Sequence, residues 1–172
     1  MARVVGTTRI RDYEAEDASE IVRLFYETVH SVNRADYSDK QLQAWAPSVP
    51  EPKEWHARMN GRRTRVAEES GEVIGFAELE GDGHLDMFYV RGDTVGRGVG
   101  QQLYRAVERE ALGLGLERIF TEASITARPF FEKQGFRVVR EQTVSRWDVT
   151  MTNFAMEKPL SSCNREGEQG IL

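Results

Sequence analysis

Residues 85–107, LDMFYVRGDTVGRGVGQQLYRAV, decide how the rest of the chain is read. Leu85–Val90 is an apolar run of strand length, followed by a short polar connection. Gly96-Arg97-Gly98-Val99-Gly100 then opens a stretch whose apolar residues, Val99, Leu103, Ala106, Val107, Ala111 and Leu112, recur on one face of a helix. The glycines therefore sit at a strand-to-helix junction. There the first helical N–H groups lack partners and the positive end of the helix dipole points outward. Such a junction binds anions, and missing side chains let a phosphate reach the backbone. No acidic residue occurs from Thr94 to Val107, whereas Arg97 and Arg105 do, in a chain whose net charge is −5. That local imbalance favours a phosphate ligand.

The spacing excludes two common phosphate loops. No Gly-Lys-Ser/Thr follows, as a nucleotide P-loop requires, and Gln101 holds the last glycine place of a dinucleotide fingerprint. A phosphotransferase is disfavoured as well, because no magnesium-ligand pattern accompanies the loop. The composition narrows the classes further. At 172 residues, 40% of them hydrophobic, the chain can fill one sizeable core. An isoelectric point near 5.4 argues against a nucleic-acid partner. No run approaches the ~18 apolar residues of a membrane span, and MARVVGTTRIRDYE lacks a signal-peptide core. Cys163 is the single cysteine, so no internal disulfide forms, and no Cys/His cluster has metal-ligand spacing. The expectation is a cytoplasmic protein without a metal.

A second signal lies downstream. ERIFTEAS (117–124) reads as a strand ending in small residues, and Ala127-Arg128-Pro129-Phe130-Phe131-Glu132-Lys133-Gln134-Gly135-Phe136 follows it. The first stretch resembles the acetyl-CoA loop of the GNAT N-acetyltransferases, Arg/Gln-x-x-Gly-x-Gly/Ala. Val95–Gly100 fills the six places, with Val95 departing from the usual Arg or Gln. The second is similar to the family's other cofactor motif, A-x-x-F-Y-x-K-x-G-F, with Phe131 in place of tyrosine. The two motifs stand in the family's order over roughly residues 8–160. Phe25–Pro47, with FYETVHSVN and AWAP, resembles a bacterial subgroup of acetyltransferases.

The resemblance implies an α+β fold with a mixed, mostly antiparallel sheet and helices on both faces, in one domain over residues 1–160. Its central strands would splay apart to admit a thioester. It implies that the backbone of Phe88–Val90 pairs with the pantetheine arm and that Val90 N–H meets the carbonyl oxygen. Val95, Gly96, Arg97, Gly98, Val99, Gly100 and Gln101 would hold the pyrophosphate, while Ser124, Phe130, Phe131 and Lys133 would line the other side. It further implies an amine acceptor, small or peptidic, and leaves a homodimer open, since many relatives dimerise. A non-catalytic CoA-binding module of the same fold is the alternative reading, kept open by Val95 and Phe131.

Acetyl transfer needs a base for the ammonium proton, a donor for the carbonyl oxygen and a route for the thiolate. Strand alternation puts His84 and Asp86 on one face. Asp86 is expected to be buried in an apolar run, which would raise its pKa and make it the base. His84 and Glu78 are alternatives. With Phe131 in the tyrosine place, Tyr89, Tyr26 and Tyr37 are the remaining candidates for a general acid. Tyr26, His30 and Asn33 share a face of the first helix and, with Tyr37, are expected to wall the acceptor site.

The remaining elements follow from local signals. A first strand is expected over 3–12 and a helix carrying Ile21, Val22, Leu24, Phe25, Val29 and Val32. Ser38 and Gln41 have capping-box spacing ahead of a short helix ending near Trp45, before Pro47. A further short helix is expected over 51–60. Ser70-Gly71 and Gly81-Asp82-Gly83 punctuate an antiparallel meander, and 137–145 with 149–157 close the chain as a hairpin. Residues 161–172 are polar and expected to be disordered.

Overall fold

The computed structural model describes residues 6–161. The expected tail from residue 162, with Cys163, and the start of the expected first strand lie outside the described residues. Among the described residues seven strands and five α-helices follow one another as β1 (Arg9–Asp12), α1 (Ala18–Ser31), α2 (Asp39–Trp45), α3 (Pro52–Met59), β2 (Arg63–Glu69), β3 (Glu72–Leu79), β4 (Leu85–Val90), α4 (Val99–Gly113), β5 (Arg118–Ser124), α5 (Arg128–Lys133), β6 (Arg137–Arg146) and β7 (Val149–Pro159). The order is the α+β one that the resemblance implies.

Local chemistry sets the element ends. Ser38 Oγ accepts from Gln41 N–H at 3.2 Å and Gln41 Oε1 accepts from Ser38 N–H at 2.8 Å, so the capping box forms as its spacing predicts. Ser70 and Gly71 both take positive φ, the geometry of a hairpin turn that matches strand twist. Pro52 opens α3 at a position where its missing N–H costs nothing.

Two antiparallel sheets result, ordered β1-β2-β3-β4 and β5-β7-β6. β3 is buried over all but its first residue, because both of its faces are covered. On one face Ala67, Ile74 and Ala77 pack against Leu103, Tyr104 and Val107 of α4. On the other, Val66, Val73 and Phe76 pack against Ile21, Phe25 and Val29 of α1. Val73 and Ile74, and again Phe76 and Ala77, serve different cores, and the β2–β3 bulge at Ala67/Glu68 shifts the phase of the alternation between the two pairs.

The sheets meet where β4 and β5 begin. Phe120 N–H donates to Gly83 O at 3.0 Å, His84 and Phe120 form a parallel bridge, and the buried Thr121 hydroxyl donates to Leu85 O at 2.8 Å. Beyond that point the two strands belong to separate sheets. Gly83 has φ +98°, and a Cβ there would stand 2.4 Å from the Arg118 carbonyl oxygen. Glycine is required twice, by conformation and by space. Gly83→Ala is therefore expected to destabilise the fold by about 3 kcal/mol. Urea unfolding checks this, and an unchanged midpoint would show that the junction does not join the sheets.

Candidate active site

The gap between the diverging strands is a cleft of about 470 Å³. Its walls follow from strand geometry. Arg91 N–H donates to Ile74 O on β3, so in the antiparallel ladder Tyr89 and Met87 also turn their peptide groups to β3. Phe88 and Val90 consequently direct their N–H and C=O groups away from β3, into the cleft. The Thr28 hydroxyl reaches Val90 O at 3.5 Å.

At one end lies the start of α4. Gly98 is its N-cap with φ +82°, and no side chain caps the first helical N–H groups. A Cβ at Gly96 or Gly98 would meet nothing within 4 Å, so the glycines border open space, and their need for glycine is conformational. Gly96, Gly98, Gly100, Gln101 and the exposed Val95 line this end. Uncapped donors and an open backbone are what a pyrophosphate requires, so the residues present fit the phosphate end of CoA. Opposite them, Ser124, Phe130, Phe131 and Lys133 line the cleft as expected. Ser124 Oγ accepts from Ala127 N–H at 3.0 Å and turns the chain into α5. Phe131, only 2% exposed, sits in T-shaped contact with Phe88, Phe130 and Phe136.

Two of the residues expected at the cofactor stand aside from the cleft lining. Val99, the first residue of α4, is buried in the core, and Arg97 extends to Glu69 of β2 at 2.6 Å. Glu69 is a competitor that the local sequence around Arg97 does not reveal.

Asp86 and Tyr89 line the other end of the cleft. The expectation of a buried Asp86 is corrected: the residue is exposed and accepts from Arg62 at 3.1 Å. Of the three candidate bases it is Glu78 that is buried, fully inaccessible and outside the cleft lining. Burial pushes the Glu78 pKa up, against the opposing pull of Arg62 and Arg58. Arg62 is the hub, since it also lies 3.3 Å from Glu80. The bulge between Glu78 and Leu79 shifts the β3–β4 register there and defeats simple alternation.

Tyr89 packs between Phe25, at 5.1 Å, and Phe76, at 5.6 Å. Burial raises its pKa far above the usual phenol value, although Trp45 and Arg146 oppose the shift, so it keeps its proton near neutral pH. His84 lies behind Asp86 and outside the lining. Its Nε2 is 2.6 Å from Glu122 and its Nδ1 3.4 Å from Glu80. Burial by itself would lower the His84 pKa, but Glu122, Asp86 and Glu80 outweigh it and the net shift is upward.

The expected acceptor wall is largely corrected. Neither Tyr26, His30 nor Tyr37 lines the cleft. His30 Nε2 donates to Ala46 O at 2.7 Å, and Tyr26 lies against the His30 ring at 4.4 Å. Tyr37 is buried, where its hydroxyl donates to Thr152 O at 2.7 Å and accepts from Ile125 N–H at 2.9 Å. His30 is thus spent on holding α1 to the end of α2, and Tyr37 on holding its loop to β7 and to the chain after β5. A different face of α1 meets the cleft, through Thr28 and Val32, with Asn33 just beyond; Asn33 donates to Ser124 Oγ at 3.4 Å. Trp45, expected from the sequence to pack more than to shape the pocket, lines the cleft, as does Glu122, for which the sequence reading gave no role. Glu122 was legible, since alternation puts it on the face of β5 that carries Ser124. Trp45 was not, because only tertiary packing brings the end of α2 to β4.

Among the described residues no helix is long and apolar enough to cross a membrane. A family model for the acetyltransferase (GNAT) domain matches residues 33–158. The chain is 28% identical over 152 residues to an uncharacterised N-acetyltransferase, YafP, of Escherichia coli K12, covering 88% of this chain and 96% of that one. A GCN5-related N-acetyltransferase structure from Rhodopseudomonas palustris, described as a class-II aminotransferase, is 35% identical. It superposes with a TM-score of 0.84 over 93% of this chain and all of that one. More distant in sequence, the PaiA N-acetyltransferase of Thermoplasma acidophilum in complex with coenzyme A shares the fold. It is 19% identical, with a TM-score of 0.73 over 90% of this chain and 99% of that one. With the family model matching most of this chain and the cleft built as described, the chain belongs to the GNAT acetyltransferase family.

Proposed function

We propose that the protein transfers an acetyl group from acetyl-CoA to a primary amine by direct attack within a ternary complex. The observation that carries this reading is the continuous cleft that runs from the uncapped start of α4, past the peptide groups of Phe88 and Val90 that face away from β3, to Asp86 and Tyr89. Acetyl-CoA supplies the activated acyl carbon and a thiolate leaving group. Gly96, Gly98, Gly100 and Gln101 bind the pyrophosphate through backbone N–H groups, Phe88 and Val90 align the pantetheine arm, and Ser124, Phe130 and Lys133 close the opposite side. Val90 N–H is the donor for the carbonyl oxygen, where charge grows during attack. Holding both reactants in one cleft removes much of the entropic barrier. Asp86 attracts and orients the acceptor's ammonium group, with His84 behind it on the proton-accepting side. Tyr89, kept protonated by burial, is the donor available to the thiolate, because Phe131 has no hydroxyl.

The alternative is a regulatory module that binds CoA without turnover. Its support is the hydroxyl-free Phe131 and the engagement of Arg97 by Glu69. Free-thiol release from acetyl-CoA, measured against amines, polyamines, aminoglycosides, amino acids and lysine peptides, separates the two readings. Turnover supports the enzyme, and tight CoA binding with no turnover across the panel supports the module.

Gly98→Glu places a carboxylate at a left-handed position facing phosphate. CoA affinity should fall by ~3 kcal/mol, roughly a hundredfold, in isothermal titration; retained affinity would refute the phosphate assignment. Asp86→Asn should lower kcat/KM for the amine about tenfold with CoA affinity unchanged, and equal kcat/KM would remove Asp86 from the acceptor site. Phe131→Tyr should leave CoA binding intact. A rise in kcat would show that the thiolate lacks an efficient donor in the native protein, and an unchanged kcat would support Tyr89.

A further inference from the structure

At the foot of the cleft a chain of polar groups leads from the acceptor side to solvent. Glu122 lines the cleft from β5, across the diverging strands from Asp86 on β4. Its Oε2 is 2.6 Å from His84 Nε2, and on the far side of the ring His84 Nδ1 is 3.4 Å from Glu80 Oε1. The imidazole stacks on Phe120 with centroids 5.1 Å apart and planes 15° apart, which fixes its orientation. Glu80 is partly exposed at the rim of the β3–β4 turn. We propose that Glu122 and His84 form a relay that takes the proton of the acceptor's ammonium group and hands it through Glu80 to water.

The inference rests on the N-acetyltransferase reading and names a residue, Glu122, that this reading does not itself require. The steps balance. An ammonium N–H bond breaks, its electron pair stays on nitrogen as the nucleophile, and an O–H bond forms at Glu122. The proton moves to His84 Nε2, which restores the Glu122 carboxylate, and the Nδ1 proton then leaves to Glu80 and to water.

Asp86 is a poorer terminus for this proton. Arg62 donates to it, so protonation there breaks a charge-assisted hydrogen bond. His84 faces Glu122 from β5, Glu80 and Asp82 from the turn, and Asp86 from its own strand, with Asp82 accepting from its backbone N–H. The cations beside this group are Arg62, near Glu80 and Asp86, and Arg118, stacked over Phe120 at 4.9 Å. Carboxylates outnumber cations around the ring, and its proton affinity rises as a result. A stronger imidazole base lies closer to an alkylammonium in pKa, so the transfer is less uphill.

Activity is expected only from the form of the relay that can accept a proton, and so rises with pH through the elevated His84 value. The test is the pH dependence of kcat for one saturating amine and acetyl-CoA, in the wild type, Glu122→Gln and His84→Asn. Using the same amine throughout cancels its own ionisation. Glu122→Gln should lower kcat about a hundredfold, move the acid limb to lower pH and leave CoA binding unchanged. NMR titration should show the His84 pKa falling in the same variant. His84→Asn should abolish that limb. Wild-type kcat and an unmoved limb in Glu122→Gln would overturn the relay alone. A wild type that acetylates no amine overturns the parent reading and the relay with it.

Discussion

The site depends on a join that is very short. β4 and β5 touch through one parallel bridge and the Thr121 hydroxyl, then part. A longer parallel ladder would satisfy the backbone of Phe88 and Val90 internally and leave nothing to receive a ligand. No join would leave two sheets without a fixed relation, and the cleft would have no defined width. Gly83 makes the compromise feasible, because only glycine lets the β3–β4 turn approach the Arg118 carbonyl so closely. Peptide groups left free along one strand, and helical N–H groups left free at Gly98, are then two consequences of one geometry. In both, the fold withholds hydrogen bonds that water or a ligand must supply.

Electrostatics around that cleft is governed by Arg62. Burying Glu78 without a partner would cost several kcal/mol, and Arg62 and Arg58 offset part of it while one oxygen, Oε2, remains without a hydrogen bond. The Arg62 guanidinium then extends to Asp86 and Glu80, so Arg62 serves three carboxylates, and Arg58 stands 3.6 Å from Glu78 as a second cation. Folding brings the ligating atoms of Glu80, His84 and Asp86 within 4.8 Å of one another. Arg62 already stands between two of them, which makes the cluster a charge network around a histidine. The shared cation leaves a carboxylate excess there, and the excess is what lifts the proton affinity of His84.

How much was legible depended on how local the determinants were. The capping box of α2, the Ser70-Gly71 hairpin and the two cofactor motifs were readable because each is set by residues within a few positions of one another. The peptide groups of Phe88 and Val90 were also readable, once a single strand register was known. Asp86 was misplaced because a run of apolar neighbours does not say which face of an edge strand meets solvent. A bulge at Glu78/Leu79 and the arrival of Arg62 from another element decided that. Tyr26 and His30 share a helical face as their spacing says, yet that face turns toward the end of α2.

The sequence by itself determined the family, the element order, the glycine-rich start of α4 and the phenylalanine in the tyrosine place, since each rests on short-range patterns of side chain and backbone. Only the tertiary structure decided the acceptor end of the cleft. It buried Glu78 and exposed Asp86, tied Arg97 to Glu69, committed Tyr37 to Thr152 and Ile125, and set Glu122 against His84. These pairs are separated by many residues in the chain. Their burial, charge and hydrogen bonding are properties of packed surfaces, and those exist only once two sheets have been joined at one point.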